Sequence, residues 1–346
     1  MTGTPPPAHP AEATSIPAPP IETDTVQAPI EADPEYDHDS VLDESLSAYT
    51  ASLTSSVLNY PIEHGRRYHA FRPGAYLMPN DEKEMDRLDL THYMNFLALG
   101  KKHYLAPIDE AKTHRVLDLG TGTGIWAIDV GDILPHAEII GNDLSAIQPS
   151  WVPPNVKFEV DDIESEWMHT VPFDFIHCRY LVGAINDWPK LVGQIYDNLR
   201  PGGWVELNNY NCMIYSDDGT VPKDSATYRW ATENLALIDS TGKISSPGPY
   251  LEKWARDAGF VNVTATKFKI PIGPWPKDPG LKEIGKCNLI MTIEGLEAFS
   301  LKVLCGLGGW SEAEATVVLS KVRAEMKKGD MHQLYDMYVV VGQKPE

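Results

Sequence analysis

No lysine or arginine occurs before Arg66, and the 346-residue chain carries a formal net charge of −20. Such a surplus of acid argues against non-specific binding to phosphates, so no direct nucleic-acid partner is expected. No apolar run approaches the ~20 residues that span a bilayer, and no membrane insertion is expected. A basic n-region and an apolar h-region are both missing from the first residues, so no secretory signal is expected. Only four cysteines are present, Cys178, Cys212, Cys287 and Cys305, and none forms a C-x-x-C pair. They read as reduced thiols in a reducing compartment, the cytoplasm or the nucleus. His-x-x-His spacing, cysteine clusters and acidic trios at ligand spacing are lacking too, so no metal centre is expected.

What is present changes along the chain. Nine prolines fall between Pro5 and Pro34, and eleven aspartates and glutamates precede Arg66. Residues 1–45 are therefore read as a disordered tail, because so little apolar surface cannot offset the entropy of ordering. It would either solubilise the chain or bind a partner. Residues 46–113 read as an arm. A basic and aromatic cluster (Arg66, Arg67, Tyr68, His69, Phe71, Arg72, Tyr76) is followed by a helix opening after Asn80, a good N-cap. Leu90, Met94 and Leu97 recur at helical spacing, and Gly100 can end the helix. The cluster either folds over a cofactor, with Tyr68 stacking and Arg72 meeting a carboxylate, or only packs the arm onto a sheet.

The stretch Val116 to Asp132, VLDLGTGTGIWAIDVGD, organises the rest. An apolar run breaks at Gly120, glycines recur at Gly122 and Gly124 around Thr121, and a helix-compatible run begins at Ile125. That is a strand, a tight turn and a helix N-terminus, where backbone approaches a ligand closely and unpaired N–H groups face it. The dinucleotide fingerprint is G-x-G-x-x-G. Here Ile125 occupies the third-glycine position, which disfavours a nicotinamide oxidoreductase. Asp118 sits two residues before the first glycine, where a carboxylate would repel pyrophosphate and suit an ammonium group. The loop therefore points to adenosine joined to a cationic amino acid, S-adenosyl-L-methionine.

From His114 the pattern alternates. Strands are expected at residues 138–144, 156–162, 173–181, 202–210, 261–270 and 331–343, with helices at 188–199, from Pro249 to Gly259, at 281–306, and from the Ser311 capping box to Gly329. Such alternation gives an α/β, doubly wound parallel sheet with helices on both faces. Residues 211–247 interrupt it. They and residues 275–310 are expected to cap the substrate side, with Trp275, Phe299, Leu301 and Trp310 as a pocket wall or as core. Asp143, ending the second strand with Leu144, should accept the ribose hydroxyls. One of Asp161 and Asp162 should meet the adenine amino group while Ile163 packs on the ring. His177, ending the fourth strand, is the candidate general base, or else a histidine that bonds cofactor or backbone without moving a proton. Arg179 reads as structural, and Asp217-Asp218 as a solvated turn.

Asp118-x-Gly120-x-Gly122-x-Gly124, Asp143, Asp161-Asp162 and Leu199-Arg200-Pro201-Gly202-Gly203 resemble the ordered motifs of class I S-adenosylmethionine-dependent methyltransferases. More narrowly, GRRYHAFRPGAYLMPNDEKEMDRLDLTHY, DLSAIQPSWVPPNVKFEVDD and LRPGGWVELNNY resemble the fungal LaeA-like methyltransferases, over residues 53–346. The resemblance implies a Rossmann-like, seven-stranded, mostly parallel sheet whose last strand is antiparallel. It also implies methyl transfer to a small molecule of fungal secondary metabolism. The alternative it carries is a regulatory subunit working with a velvet-type protein or a related methyltransferase. Where members often read Glu-Leu-Gln after the Gly-Gly-Trp turn, this chain reads Glu206-Leu207-Asn208, a departure that concerns substrate and leaves the cofactor loop intact.

Overall fold

Strand β3 (Arg115–Leu119) is apolar at Val116, Leu117 and Leu119, all with no exposed surface, as a central strand covered on both faces requires. It belongs to a computed structural model that describes residues 60–72 and 74–346. The expected tail over residues 1–45 lies outside the described residues.

Beyond β3 come helix α2 (Ile125–Ile133), β4 (Glu138–Asp143), β5 (Val156–Val160), β6 (Phe173–Arg179), α3 (Trp188–Asn198) and β7 (Leu199–Tyr215). Then follow α4 (Ala226–Asp239), α5 (Leu251–Asp257), β8 (Val261–Ile272), α6 (Pro279–Gly306), α7 (Glu312–Lys328) and β9 (Gln333–Gln343). The arm before them contributes a short hairpin, β1 (Ile62–Glu63) and β2 (Arg66–Arg67), and helix α1 (Glu82–Ala98). Among the described residues the main sheet has seven strands in the order β5-β4-β3-β6-β7-β9-β8. The pairs from β5 to β7 are parallel, and β9 runs antiparallel to both β7 and β8. This is the Rossmann-like, doubly wound sheet with one reversed strand.

The alternation of side chains along β3 splits the core. Leu117 and Leu119 join Trp188, Leu191 and Ile195 of α3 and Leu251 of α5 on one face. Val116 joins Met94 of α1, Trp126 and Val130 of α2, and Met291 of α6 on the other. A third apolar layer, with Trp230, Leu296, Leu304 and Leu319, joins α4, α6 and α7 beside the end of β7.

Three local expectations differ from the structure. Asp81, not Asn80, caps α1 by accepting from the Glu84 amide, because Asn80 instead donates to Ser145 Oγ. β7 begins at Leu199 rather than at residue 202. Leu199 pairs with Phe173 and Trp204 with Phe175, so the Pro-Gly-Gly turn is an irregularity within the strand. Asp217 and Asp218 are not merely solvated, since they pair with Lys269 and His332.

Candidate active site

The chain winds outward from β3 through β4 to β5, then crosses back to β6 on the other side of β3. A crevice opens at such a switch point, beyond the carboxyl ends of the strands. Here it holds a cavity of about 140 Å³, lined by Asp118, Gly120, Thr121, Gly122, Asp143, Leu144, Asp161, Asp162, Ile163 and His177. Ten of the residues singled out from the sequence thus come together.

The loop's shape comes from its glycines. Gly120, Gly122 and Gly124 have φ of 64°, 59° and 81°, the left-handed region that side chains disfavour. A Cβ on Gly122 would find only Leu88, at 3.7 Å, and would project into the cavity. Gly124 is different. It caps α2, and a Cβ there would come within 2.3 Å of the Phe158 ring, so it serves packing and is not on the wall.

Both carboxylates of the loop region are held by the chain. Asp143 accepts from the Gly122 amide (2.9 Å) and the Ser145 amide (2.9 Å), while burial raises its pKa to about 6. Asp118 accepts from Thr121 Oγ1 (2.6 Å) and lies 2.7 Å from His177 Nδ1. Burial, outweighing the help of Asp118, lowers the His177 pKa. The neutral imidazole then donates from Nδ1, and Nε2 has no partner among the described residues. The ring stacks on Trp126 at 3.7 Å and is 1 % exposed. At the end of β5, Asp161 Oδ1 accepts from the Asp162 amide. Asp162 accepts from the Glu164 amide and Ser165 Oγ.

Two arm residues do not sit as expected. Tyr68 is buried outside the cavity with Lys302 Nζ 4.1 Å from its ring, and Tyr76 lines the cavity instead. Arg72 is tied to Ser165 and Asp162 beside the end of β5, away from the end where a carboxylate was expected. Arg66 and Arg67 clamp Asp81 and Glu82 at the start of α1, which holds the arm in place.

The cation that does line the cavity is Arg179. Its Nη2 donates to His92 Nδ1 (2.9 Å), which leaves the proton of His92 on Nε2, donated to Asp129 Oδ2 (2.9 Å). His103 Nδ1 lies 3.5 Å from the same oxygen, so His92, His103 and Asp129 form a cluster with metal-ligand chemistry that no spacing in the sequence showed. In the arrangement present, His92 spends both ring nitrogens on the arginine and the aspartate. Tyr76 stood in the aromatic cluster without a role of its own, Arg179 read as structural, and His92 was not singled out, because a histidine outside a motif carries no signal until the fold places it.

A second cavity, of about 120 Å³, shares Met78 and Tyr180 with the first. Phe299 lines it, whereas Leu301 belongs to the apolar core and Trp275 is buried elsewhere. Asn208 lies on neither wall, although it is wholly buried next to Arg179 across the β6–β7 pair.

A crevice with a bare-backbone turn, one carboxylate fixed by that turn, a second behind it and an arginine beyond offers acceptors for a diol and an ammonium and a donor for a carboxylate. Apolar Leu144 and Ile163 border it where a flat base would lie. This donor and acceptor set fits S-adenosylmethionine group by group, and with this strand order it defines a class I S-adenosylmethionine-dependent methyltransferase. The family described as a methyltransferase domain matches residues 63–265. The chain belongs to that family and to its fungal LaeA-like members. It is 47% identical to methyltransferase pytC of Aspergillus terreus, over 85% of this chain and 91% of that protein. Against the secondary metabolism regulator LAE1 of Cochliobolus heterostrophus the identity is 36%, over 83% of this chain and 95% of that one. The probable methyltransferase tdiE of Emericella nidulans is 33% identical over 76% of this chain and 82% of its own. Among the described residues, no helix is long and apolar enough to cross a membrane.

Proposed function

We propose that the chain methylates a small molecule of fungal secondary metabolism. The observation that carries this is the second cavity, a partly open, largely apolar space that shares Met78 and Tyr180 with the wall of the cofactor crevice. A space of about 120 Å³ whose wall carries no charged side chain suits a compact, largely apolar molecule better than the lysine or arginine side chain of a protein substrate.

The bound cofactor supplies an activated methyl group on a sulfonium, so the protein's work is chiefly to hold the two reactants in line. Asp143, fixed by the Gly122 and Ser145 amides, would accept both ribose hydroxyls. Asp161, Asp162 and Ile163 would take the adenine, and Asp118 the ammonium. Arg179, steadied through His92 by Asp129, would meet the carboxylate in place of Arg72. His177 is absent from the wall of the second cavity and is bonded to Asp118. We read it as a positioning residue behind the ammonium site. The described part of the arm, residues 60–72 and 74–113, would act as the cover of the cofactor and the layer of α4, α6 and α7 as the substrate cap.

Similarity to the regulator LAE1 supports a second reading, a subunit acting through a protein partner. Incubation with cofactor carrying a labelled methyl group, fungal metabolite extract and fungal protein separates the two. Label entering the organic extract is the expected result. Label confined to protein would overturn the small-molecule acceptor.

A further inference from the structure

The wall of the second cavity is aromatic and built. Tyr180, Tyr210, Tyr335, Trp230 and Phe299 face it. Tyr180 has φ of 60°, a backbone state unusual for a bulky residue and found where surroundings hold a side chain in place. Its amide donates to the Asn208 carbonyl (2.9 Å), its hydroxyl accepts from Arg87 Nη1 (3.3 Å), and its ring meets Tyr210 edge-on. The Arg87 guanidinium also lies 4.8 Å from the centre of the Phe299 ring. Two walls of the cavity are thus fixed by one buried cation.

One polar atom on that wall is unspent. Asn234, 5 % exposed, donates from Nδ2 to the Phe299 carbonyl (3.1 Å), which settles the orientation of its amide. Its Oδ1 has no partner among the described residues. A buried acceptor left without a donor is costly, and a ligand that brings one removes the cost. Three other polar groups of the wall are spent, Tyr210 Oη on Asn95, Tyr335 Oη on Asn288 and Trp230 Nε1 on Ser300 Oγ. The neighbouring Cys212 thiol is pushed by burial up to about 12 and is no nucleophile near neutrality.

Granting the transferase activity proposed above, we propose that this cavity is the acceptor site. Its ligand is a flat, largely apolar compound, with one aromatic ring in the cavity and a hydroxyl or N–H donated to Asn234 Oδ1. The nucleophilic atom would lie beside Tyr180, where the two cavities share their lining, facing the cofactor crevice. A cavity near ~150 Å³ is known to hold one benzene ring, so one ring is the scale that fits.

Two probes differing by one hydroxyl test this, 4-ethylphenol and ethylbenzene, titrated by calorimetry into protein saturated with S-adenosylhomocysteine. The wild type should bind 4-ethylphenol about tenfold more tightly, the usual effect of a buried hydrogen bond. Asn234→Leu should erase that preference and keep ethylbenzene binding. Ala231→Phe, which fills the cavity from α4, should weaken both probes tenfold or more and leave S-adenosylhomocysteine affinity unchanged. Equal affinities of the wild type for the two probes, or a preference that survives Asn234→Leu, would overturn the proposal. So would unchanged probe binding in Ala231→Phe. Failure of the wild type to bind S-adenosylhomocysteine at all would instead sink the transferase reading itself.

Discussion

Protonation of Asp143 governs how the cofactor crevice responds to pH. Burial holds this carboxyl at about 6 against its ordinary 3.8, although the backbone amides of Gly122, Ser145 and Leu144 pull the other way. An acid whose pKa is raised by folding contributes stability below about pH 3.8, and that contribution is lost as pH rises through 6. Ligand binding runs in the opposite sense, because ribose hydroxyls need the ionised acceptor. Lowering the pH from 7 to 5 should weaken S-adenosylhomocysteine binding about tenfold, one unit below the pKa being one decade. Asp143→Asn should bind weakly with little dependence on pH over that interval. A flat wild-type affinity between pH 7 and 5 would refute the assignment. For His177, the bond to Asp118 and the stack on Trp126 predict that His177→Gln weakens cofactor binding about tenfold, the worth of a charged hydrogen bond. Turnover at saturating cofactor should stay within about threefold. A loss of ~10²–10⁴ in kcat with unchanged cofactor affinity would make it the base after all. Residues tied to a strand end or to the glycine turn were legible because topology puts such positions at the crevice. Tyr68 and Arg72 were misplaced because their neighbours in sequence turn either way, and only tertiary contacts decide which ring or cation faces inward. Alanine at Gly122 meets open space, with only Leu88 at 3.7 Å, but at a φ near 59° that strains any side chain, so Gly122→Ala should cost stability as well as cofactor affinity.

Helix α1 carries a buried ion pair on the wall of the crevice. Arg87 donates to Glu84 at 2.9 and 2.6 Å, and both side chains are 2 % exposed. Desolvating two charges costs much of what their attraction returns, but removing one partner leaves the other buried and unpaired. Glu84→Gln should therefore destabilise the protein by ~3–5 kcal/mol, read as a lower midpoint in urea. Glu84→Gln combined with Arg87→Met should recover part of the loss. A single-mutant loss below about 1 kcal/mol would show the pair to be well hydrated. Nothing in the helical spacing of α1 revealed this pair as buried, since Glu and Arg three apart usually decorate a surface. Elements with strong periodicity and distinct stops, such as α7 with its Ser311 box and Gly329, stood out in the sequence. β7 was cut short at both ends. Pro-Gly-Gly chemistry reads as a turn even where the strand resumes pairing across it, and the NCMIY end of the strand does not alternate cleanly.

At the scale of the whole molecule, alternation of strand and helix led directly to a doubly wound sheet. The reversal of β9 was legible only through family resemblance, because direction is set by which edge the last strand enters and not by its composition. That reversal lets β7 and β8 run on past the parallel strands, and their extended ends carry the helical layer of α4, α6 and α7. The second cavity owes its position to this layer. Met78 and Tyr180 line both cavities. Shared wall residues would make the two ligands thermodynamically linked: whatever factor the cofactor imposes on acceptor affinity, the acceptor must impose on the cofactor. The spent cofactor and the methylated product would obey the same reciprocity, so the release of either would set the hold on the other.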